Sequence, residues 1–438
     1  MNFIQSIYAG VIIYLLQIKI LPLFFLVSVT LGNELIVSEI QIIGNEITKQ
    51  YVIQREIQHQ KNVFLDSTLA GEDRNRIENL GIFSMVSWQG LPLENGTVIL
   101  QFVVLESWRY LPGLIPFYEE GKGWIVSGGL IINNFRGRNQ TLALGGEFGG
   151  RTAYGLQYSD PWMAGDHISL DFALGNSAQF HLFLPYEITT SSFQLNTGRY
   201  FGYAIKTKAG LELEKKSFMA LNGSSNHHFE YIAPKVNIQY DTRDLYSDPS
   251  SGIYIIQDFN YMIDLTGEEN NRLFWYQSYS IFKTIFKGKR KVVAGFNFFG
   301  REFFGSERDT VWYQSIGGAY SIRGWNTPTE EIYSGGEQKY RFGLFTLGSS
   351  FELRKTIIPR IATKYGTEFG LSAVGFIDGG ITGMSLSEMM AQKPIWGIGI
   401  GIRIPMAIFQ VIRFDYGWGF RGSNFVGNSF HFAFGHKF

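Results

Sequence analysis

Apolar and polar positions follow two different rhythms, which change near Trp108. Before that point the spacing shifts from one segment to the next. Ile36 to Ile43 alternates with a two-residue period and stops at the turn pair Gly44-Asn45, which predicts a strand. Thr48 stands where an N-cap belongs, ahead of a helix predicted from Lys49 to about His59. A second helical stretch runs from about Leu69 to Leu80 and ends at Gly81, a C-terminal glycine signal. Two strands follow, Phe83 to Gln89 and Thr97 to Leu105, with Glu94-Asn95-Gly96 as the turn between them. The predicted order over residues 34–107 is strand, helix, helix, strand, strand: a small α+β domain.

From residue 109 to 438 the pattern becomes short alternating runs separated by turns. In Trp396 to Ile404 the even positions are Trp396, Ile398, Ile400, Ile402 and Ile404, and the odd ones are glycines and Arg403. In Gln410 to Trp418 the even positions include Ile412, Phe414, Tyr416 and Trp418, with Arg413 and Asp415 on the other face. Lys291 to Phe298 repeats the arrangement. A soluble sandwich also alternates, but its outward face is the polar one. Here one face is apolar and the other combines glycine with charges of both signs. That is the texture of a transmembrane β-barrel with a crowded lumen, because a charge on the lipid face near the midplane costs about 2–4 kcal/mol. Arg403, Arg413 and Asp415 are therefore expected to point inward. Counting runs gives about sixteen antiparallel strands, an even number as a bacterial barrel requires. The first is expected at Arg109 to Tyr118 and the last at Ser429 to Phe438. Short periplasmic turns such as Arg136 to Asn139 are expected, with longer ones at Asp160 to Asp166 and Asp241 to Gly252. The longest connection, Arg301 to Gln338, falls on the extracellular side.

Composition supports the barrel. Aromatic residues make up 16% of the chain and charged residues 17%, yet no run after Gly32 has the ~18 apolar residues a membrane helix needs. The apolar run Ile20 to Leu31, ahead of Thr30-Leu31-Gly32, is read as a signal peptide over residues 1–32, with an uncleaved anchor helix as the alternative. Either one sends the following residues across a membrane. The absence of cysteine excludes disulfides, thiolate metal sites and a lipidated Cys. Net charge is zero and no long basic tract points to nucleic acid.

Residues 34–107 resemble a POTRA domain, the periplasmic module of the BamA-like outer-membrane insertase and transporter superfamily. The matching residues are Ile43-Gly44-Asn45, Thr48, Ile53, Arg55-Glu56, the segment Asn79 to Phe83 and Val86. In the longest loop, Gly317-Gly318-Ala319-Tyr320-Ser321-Ile322-Arg323-Gly324-Trp325 resembles the signature of the superfamily's sixth extracellular loop. The resemblance implies that this loop folds into the lumen and that Arg323 pairs with an acidic residue on the wall. The acceptor it implies is Asp378, in Phe376-Ile377-Asp378-Gly379. Alternation separately places Phe376 and Asp378 on the face opposite Phe369, Leu371, Ala373 and Ile377, so Asp378 is expected in the lumen. Arg and carboxylate form two-pronged pairs, and flanking glycines let a backbone pass close to a wall.

Two further features concern the barrel's ends. Phe430, Phe432, Phe434, His436 and Phe438 share one parity, which resembles the C-terminal recognition signal of bacterial outer-membrane proteins. Leu111-Pro112-Gly113-Leu114-Ile115-Pro116 falls in the first strand. Proline cannot donate to a ladder and glycine weakens a strand, so few hydrogen bonds are expected where the first strand meets the last. Superfamily members that insert proteins use this junction as a lateral gate. The other reading starts the strand after the prolines. Asp241-Thr242-Arg243-Asp244 with Pro249 and Gly252 resembles a family turn and is read as structural.

No Gly-x-Ser-x-Gly elbow, His-Glu-x-x-His helix or Walker loop is present, so no enzyme, cofactor or metal site is expected. The glycines of Gly397 to Gly401 lack a nucleotide-site context. The resemblance implies insertion or translocation of polypeptides at the bacterial outer membrane, with the N-terminal domain in the periplasm. The partners it implies are outer-membrane lipid, unfolded or secreted polypeptides and periplasmic accessory proteins. Extended chains are expected to add to a POTRA sheet edge near Val98 to Val104. The alternative reading is a passive pore or surface protein of the same architecture.

Overall fold

The computed structural model describes residues 35–438 except 120–121, 166, 224–225, 268–269, 306–309, 363–367 and 407–409. The signal peptide or anchor expected at residues 1–32 lies outside the described residues.

The first unit is a three-stranded sheet with two helices. Ile36–Ile43 pairs in parallel with Thr97–Glu106, which pairs antiparallel with Phe83–Pro92. Thr97–Glu106 is thus the central strand. The expected open edge near Val98 to Val104 is corrected: Val98, Leu100, Phe102 and Val104 are core residues, and the edges are Ile36–Ile43 and Phe83–Pro92. A strand this apolar on its inner face, with neighbours on both sides, is buried rather than offered to a partner.

The two helices also differ from expectation at their ends. The first covers only Gln50–Gln54. It stops because the amides of Gln58 and His59 bond to the buried carboxylate of Asp73 at 2.8 and 3.0 Å, not to a helical carbonyl. Thr48 is not its cap; its hydroxyl bonds to Glu106. The second helix spans Ser67–Glu78 and starts earlier than predicted because Asp66 caps the amides of Thr68 and Leu69.

The second unit is a sixteen-stranded antiparallel sheet that runs from Tyr110–Glu119 to Asn424–Phe434. Alternation sorts side chains between its two faces. Ile400 is 63% exposed, while Arg413 and Asp415 are 0% and 1% exposed. The lumen carries the charges and the outer face carries the isoleucines and aromatic rings, as the cost of a charge in lipid dictates. Asp160 to Asp166 is not the extended turn expected. The strand Arg151–Ala164 continues through it with a register shift between Asp160 and Ala164. Pro161 has no amide to give, and the Asp160 carboxylate takes the amide of Trp162 at 3.0 Å instead.

The first barrel strand includes Pro112, Gly113 and Pro116, in register with Leu130, Gly129 and Val126 of the next strand. The last strand ends at Phe434, four residues before the expected end. Gly435 adopts φ +78°, a conformation open to glycine, and the chain turns into the lumen there. Among the described residues no hydrogen-bonded ladder joins the first strand to the last, so the sheet has a seam.

The 305–344 connection is the longest between barrel strands. Trp312, Phe342 and Leu344 pack with Phe183, Phe218 and Phe229 from neighbouring strands and turns, which fixes the loop over that end of the barrel. At the opposite end the small domain docks on periplasmic turns. The amide of Lys49 donates to the Gly137 carbonyl at 2.9 Å. Asn79 bonds to Asp244 and Tyr246 of the 242–251 turn at 3.1 and 2.9 Å.

Candidate functional site

Three glycines with positive φ shape the returning loop: Gly317, Gly318 and Gly324. The amide of Gly318 donates to the Trp325 carbonyl at 2.9 Å, so Ala319 to Gly324 form a closed finger. The finger lies against the wall so closely that side chains are excluded on both sides. A Cβ on Gly324 would meet the Trp418 backbone at 2.8 Å, and one on Gly397 would overlap the Arg323 carbonyl. Ile322 reaches over Gly380, and the Trp325 indole donates to the Trp396 carbonyl at 3.0 Å.

Arg323 sits at the tip and is fully buried. Its Nε and Nη2 donate to the two oxygens of Asp378 at 2.8 and 2.9 Å, and its own amide donates to Asp378 at 3.0 Å. Its Nη1 donates to Glu352 at 2.6 Å and to Asp415 at 3.3 Å. The guanidinium lies 3.7 Å from the centre of the Phe376 ring. Barrel register explains the convergence: Ser350 pairs with Asp378 and Glu352 with Phe376 on adjacent strands.

Further cations complete the network. Arg354 and Arg403 donate to Glu352, at 2.8 and 3.1 Å, and Arg403 also donates to Asp415 at 2.7 Å. Beyond Gly435, the inward-turned tail brings Lys437 to Asp378 at 2.7 Å and to Ser350 at 2.7 Å. Such a network is held by hydrogen-bond geometry as well as charge, since each carboxylate accepts from at least two cations.

The finger also touches the end of the last strand. The Tyr320 hydroxyl donates to the Phe434 carbonyl at 3.0 Å, and Arg413 donates to the Ala319 carbonyl at 3.0 Å. The Gly324 amide donates to His431 Nε2 at 3.0 Å. One loop therefore contacts both the wall and the strand that borders the seam.

The structure brings Ile322, Arg323, Gly324 and Trp325 together with Phe376 and Asp378. Phe434 closes the last strand. Phe438 does not continue that strand with Phe430, Phe432 and Phe434 as its shared parity suggested; it stacks on Phe282 in the lumen, centroids 5.9 Å apart. Pro112, Gly113 and Pro116 stand apart, on the sheet's first strand. Glu352, His431 and Lys437 were not anticipated. Glu352 was readable, because Phe351-Glu352-Leu353-Arg354 alternates with both charges on the inward parity. Lys437 was not, because the turn at Gly435 breaks the parity on which any such reading depends. Among the described residues no group of His, Asp and Glu is placed to hold a metal ion.

Comparison with known proteins follows the two units. The Omp85 superfamily domain model matches residues 134–438, and the POTRA model, described as a surface antigen variable number repeat, matches residues 35–107. The chain is 28% identical over 177 residues to the outer membrane protein assembly factor BamA of Neisseria meningitidis serogroup B, which is 40% of this chain and 22% of that protein. The match thus spans about a fifth of that relative's length. In fold the chain is similar to BamA from Haemophilus ducreyi lacking POTRA domains 1–3, with a TM-score of 0.55 and 15% identity over 90% of this chain and 84% of that one. It is also similar to CdiB from Escherichia coli, with a TM-score of 0.51 and 12% identity over 90% and 89%.

Proposed function

The chain belongs to the Omp85 superfamily, and from that membership we propose that it inserts polypeptides into the bacterial outer membrane or moves them across it. The barrel lies in that membrane and the POTRA domain in the periplasm. The observation that carries the reading is the seam: a sixteen-stranded sheet whose first and last strands share no ladder among the described residues. Unpaired strand edges present rows of amide and carbonyl groups, which an incoming extended chain satisfies by adding as a strand. Pro112 and Pro116 keep the first strand a poor partner for the last, since neither offers a donor.

The Arg323 finger is the lock. It fills the lumen beside the seam and grips the end of the last strand through Tyr320. Opening the seam requires that grip to slacken, while the two-pronged pair with Asp378 keeps the finger seated. A POTRA edge strand, Phe83–Pro92 or the later part of Ile36–Ile43, receives the chain first; the start of Ile36–Ile43 is covered by Asn62 to Leu65. Unfolded or secreted polypeptides, outer-membrane lipid and periplasmic accessory proteins are the partners this mechanism calls for. No step in it makes or breaks a covalent bond. A passive pore has no use for a lumen filled by a bonded finger.

Depleting the protein in its native cell and quantifying outer-membrane and secreted proteins tests the reading. Loss of other barrels or of secreted chains is expected, and the lost proteins name the substrates. An unchanged inventory would overturn the proposal and favour the pore.

A further inference from the structure

Between the POTRA domain and the periplasmic mouth of the barrel lies a cavity of about 270 Å³. Six cationic side chains line it: Arg74 from the POTRA helix, Lys289 and Lys291 from one periplasmic turn, and Arg354, Arg360 and Arg403 from the wall. Among the described residues only two carboxylates line it with them, Glu78 and Asp248, which leaves four positive charges in excess. Widening the count to the lumen network adds Glu352, Asp378, Asp415 and the Phe438 main-chain carboxylate beside Arg354, against Arg323, Arg413 and Lys437, so an excess of three positive charges remains. The local ion pairs do not remove it. Glu78 is taken by Arg74 at 2.7 Å and by Arg360 at 3.3 Å, and Asp248 lies 3.4 Å from Lys291.

Donors as well as charge are left over. Arg354 is only 4% exposed, and while its Nε is bound to Glu352, its Nη1 has no hydrogen-bond partner. Nε of the buried Arg403 is in the same position. Neither ring nitrogen of His436 has a partner, and a neutral imidazole offers one of the two as a donor; both residues line the cavity. A buried guanidinium N–H without an acceptor costs free energy, and several around one cavity specify a ligand rich in acceptors.

We propose that this cavity is an oxyanion site for a phosphate-class group. A phosphomonoester carries about −1.5 to −2 charges and three acceptor oxygens, so it offsets part of the cationic excess and meets the unfilled donors. The cavity is smaller than typical pockets of about 300–1,000 Å³, so it takes a phosphate group rather than a whole nucleotide. The group is supplied either by free phosphate or by a phosphorylated lipid headgroup. Because the lining comes from both units, an occupied site also ties the POTRA domain to the barrel mouth.

The test is equilibrium dialysis of the full chain against labelled inorganic phosphate, in a detergent without phosphate and at low ionic strength. One saturable site is expected in the wild type, weakened roughly ten-fold in Arg354→Gln, which removes a positive charge and the unfilled Nη1 donor. Arg354 also braces Glu352, so its loss can impair folding. The Lys289→Gln/Lys291→Gln variant leaves the lumen network intact, giving up the Lys291–Asp248 pair alone, and is expected to weaken binding while the barrel remains heat-modifiable on a gel. Competition by micelles containing phosphatidic acid assigns the headgroup source, and binding indifferent to them assigns free phosphate. Absence of saturable binding in the wild type, or equal binding in the folded lysine variant, would overturn the proposal.

Discussion

Asp378 holds two cations, Arg323 of the loop and Lys437 of the tail, and this makes the lumen network asymmetric. Without Arg323, Asp378 keeps Lys437, Glu352 keeps Arg354 and Arg403, and Asp415 keeps Arg403. Without the Asp378 carboxylate, Lys437 loses the one carboxylate contact it has among the described residues and Arg323 loses its two-pronged one. Breaking a buried pair costs about 3–5 kcal/mol because the remaining charge stays buried. Asp378→Asn is therefore expected to lower the urea midpoint more than Arg323→Gln, with Arg323→Gln at the low end of that range. Equal or reversed losses in unfolding titrations would show that the cations, not the carboxylates, are the scarce partners. A second residue-scale prediction concerns Glu56 at the POTRA–barrel junction. Burial pushes its carboxyl up to about 7, against the pull of Arg55, Arg76 and Lys206. A raised folded value favours the protonated form. The stability it contributes is present below about pH 4.3, the ordinary glutamate value, and is lost as pH rises towards 7. Glu56→Gln should flatten that part of the stability profile, measured as melting temperature from about pH 5 to pH 7.5. An unchanged slope would assign it to another group.

At the level of elements, the seam and the tail turn separate what the sequence reveals from what it hides. Strand count, facing and the lumen side of Arg403, Arg413 and Asp415 were legible, because lipid penalises a wrong-facing charge at every position of a strand. The meeting of Arg323 with Asp378 was legible only through the resemblance of Gly317 to Trp325 to the superfamily's loop signature; parity by itself placed Asp378 in the lumen and named no partner for it. Strand ends were not legible, since no local rule says that the chain leaves the sheet at Gly435 rather than continuing to Phe438. Nor was the order of the POTRA sheet: Thr97–Glu106 is central because of its non-local pairing with Ile36–Ile43. The seam gives a prediction at this scale. The chain has no cysteine, so a pair introduced with one member in Tyr110–Glu119 and one in Asn424–Phe434 is the only disulfide it can form. A cross-linked seam should stop insertion or translocation, with activity restored by a reductant, while a pair placed between Ile395–Met406 and Gln410–Arg421, which already share a ladder, should leave it intact. Full activity with the seam closed would move the route away from that junction.

At the scale of the whole molecule, two units with separate cores meet through a polar, localised junction. Lys49 bonds to the Gly137 turn, Asn134 donates to Thr48 at 2.8 Å, Arg55 stacks over Trp162 at 4.0 Å, and Asn79 bridges Asp244 and Tyr246. Such contacts resemble a transient interface more than a shared core, so relative motion of the two units is the expected behaviour. Asn79 is the position that probes it, because both of its bonds cross the junction and neither supports a core. Each hydrogen bond contributes about 0.5–1.5 kcal/mol, so Asn79→Ala should weaken docking by about 1–3 kcal/mol, a rise of roughly 5- to 150-fold in the undocked population. The barrel should remain heat-modifiable and its melting temperature unchanged, while proteolysis in the linker Ser107-Trp108-Arg109 accelerates by that factor under conditions where opening is fast. If the seam is fed by a strand handed over from a POTRA edge, delivery depends on where that edge sits, and the same substitution should slow substrate release into the membrane without altering substrate binding to the POTRA domain. Faster linker cleavage with undiminished delivery would show that the handover tolerates a loose domain, and unchanged cleavage would show that the other junction contacts hold the domain without Asn79.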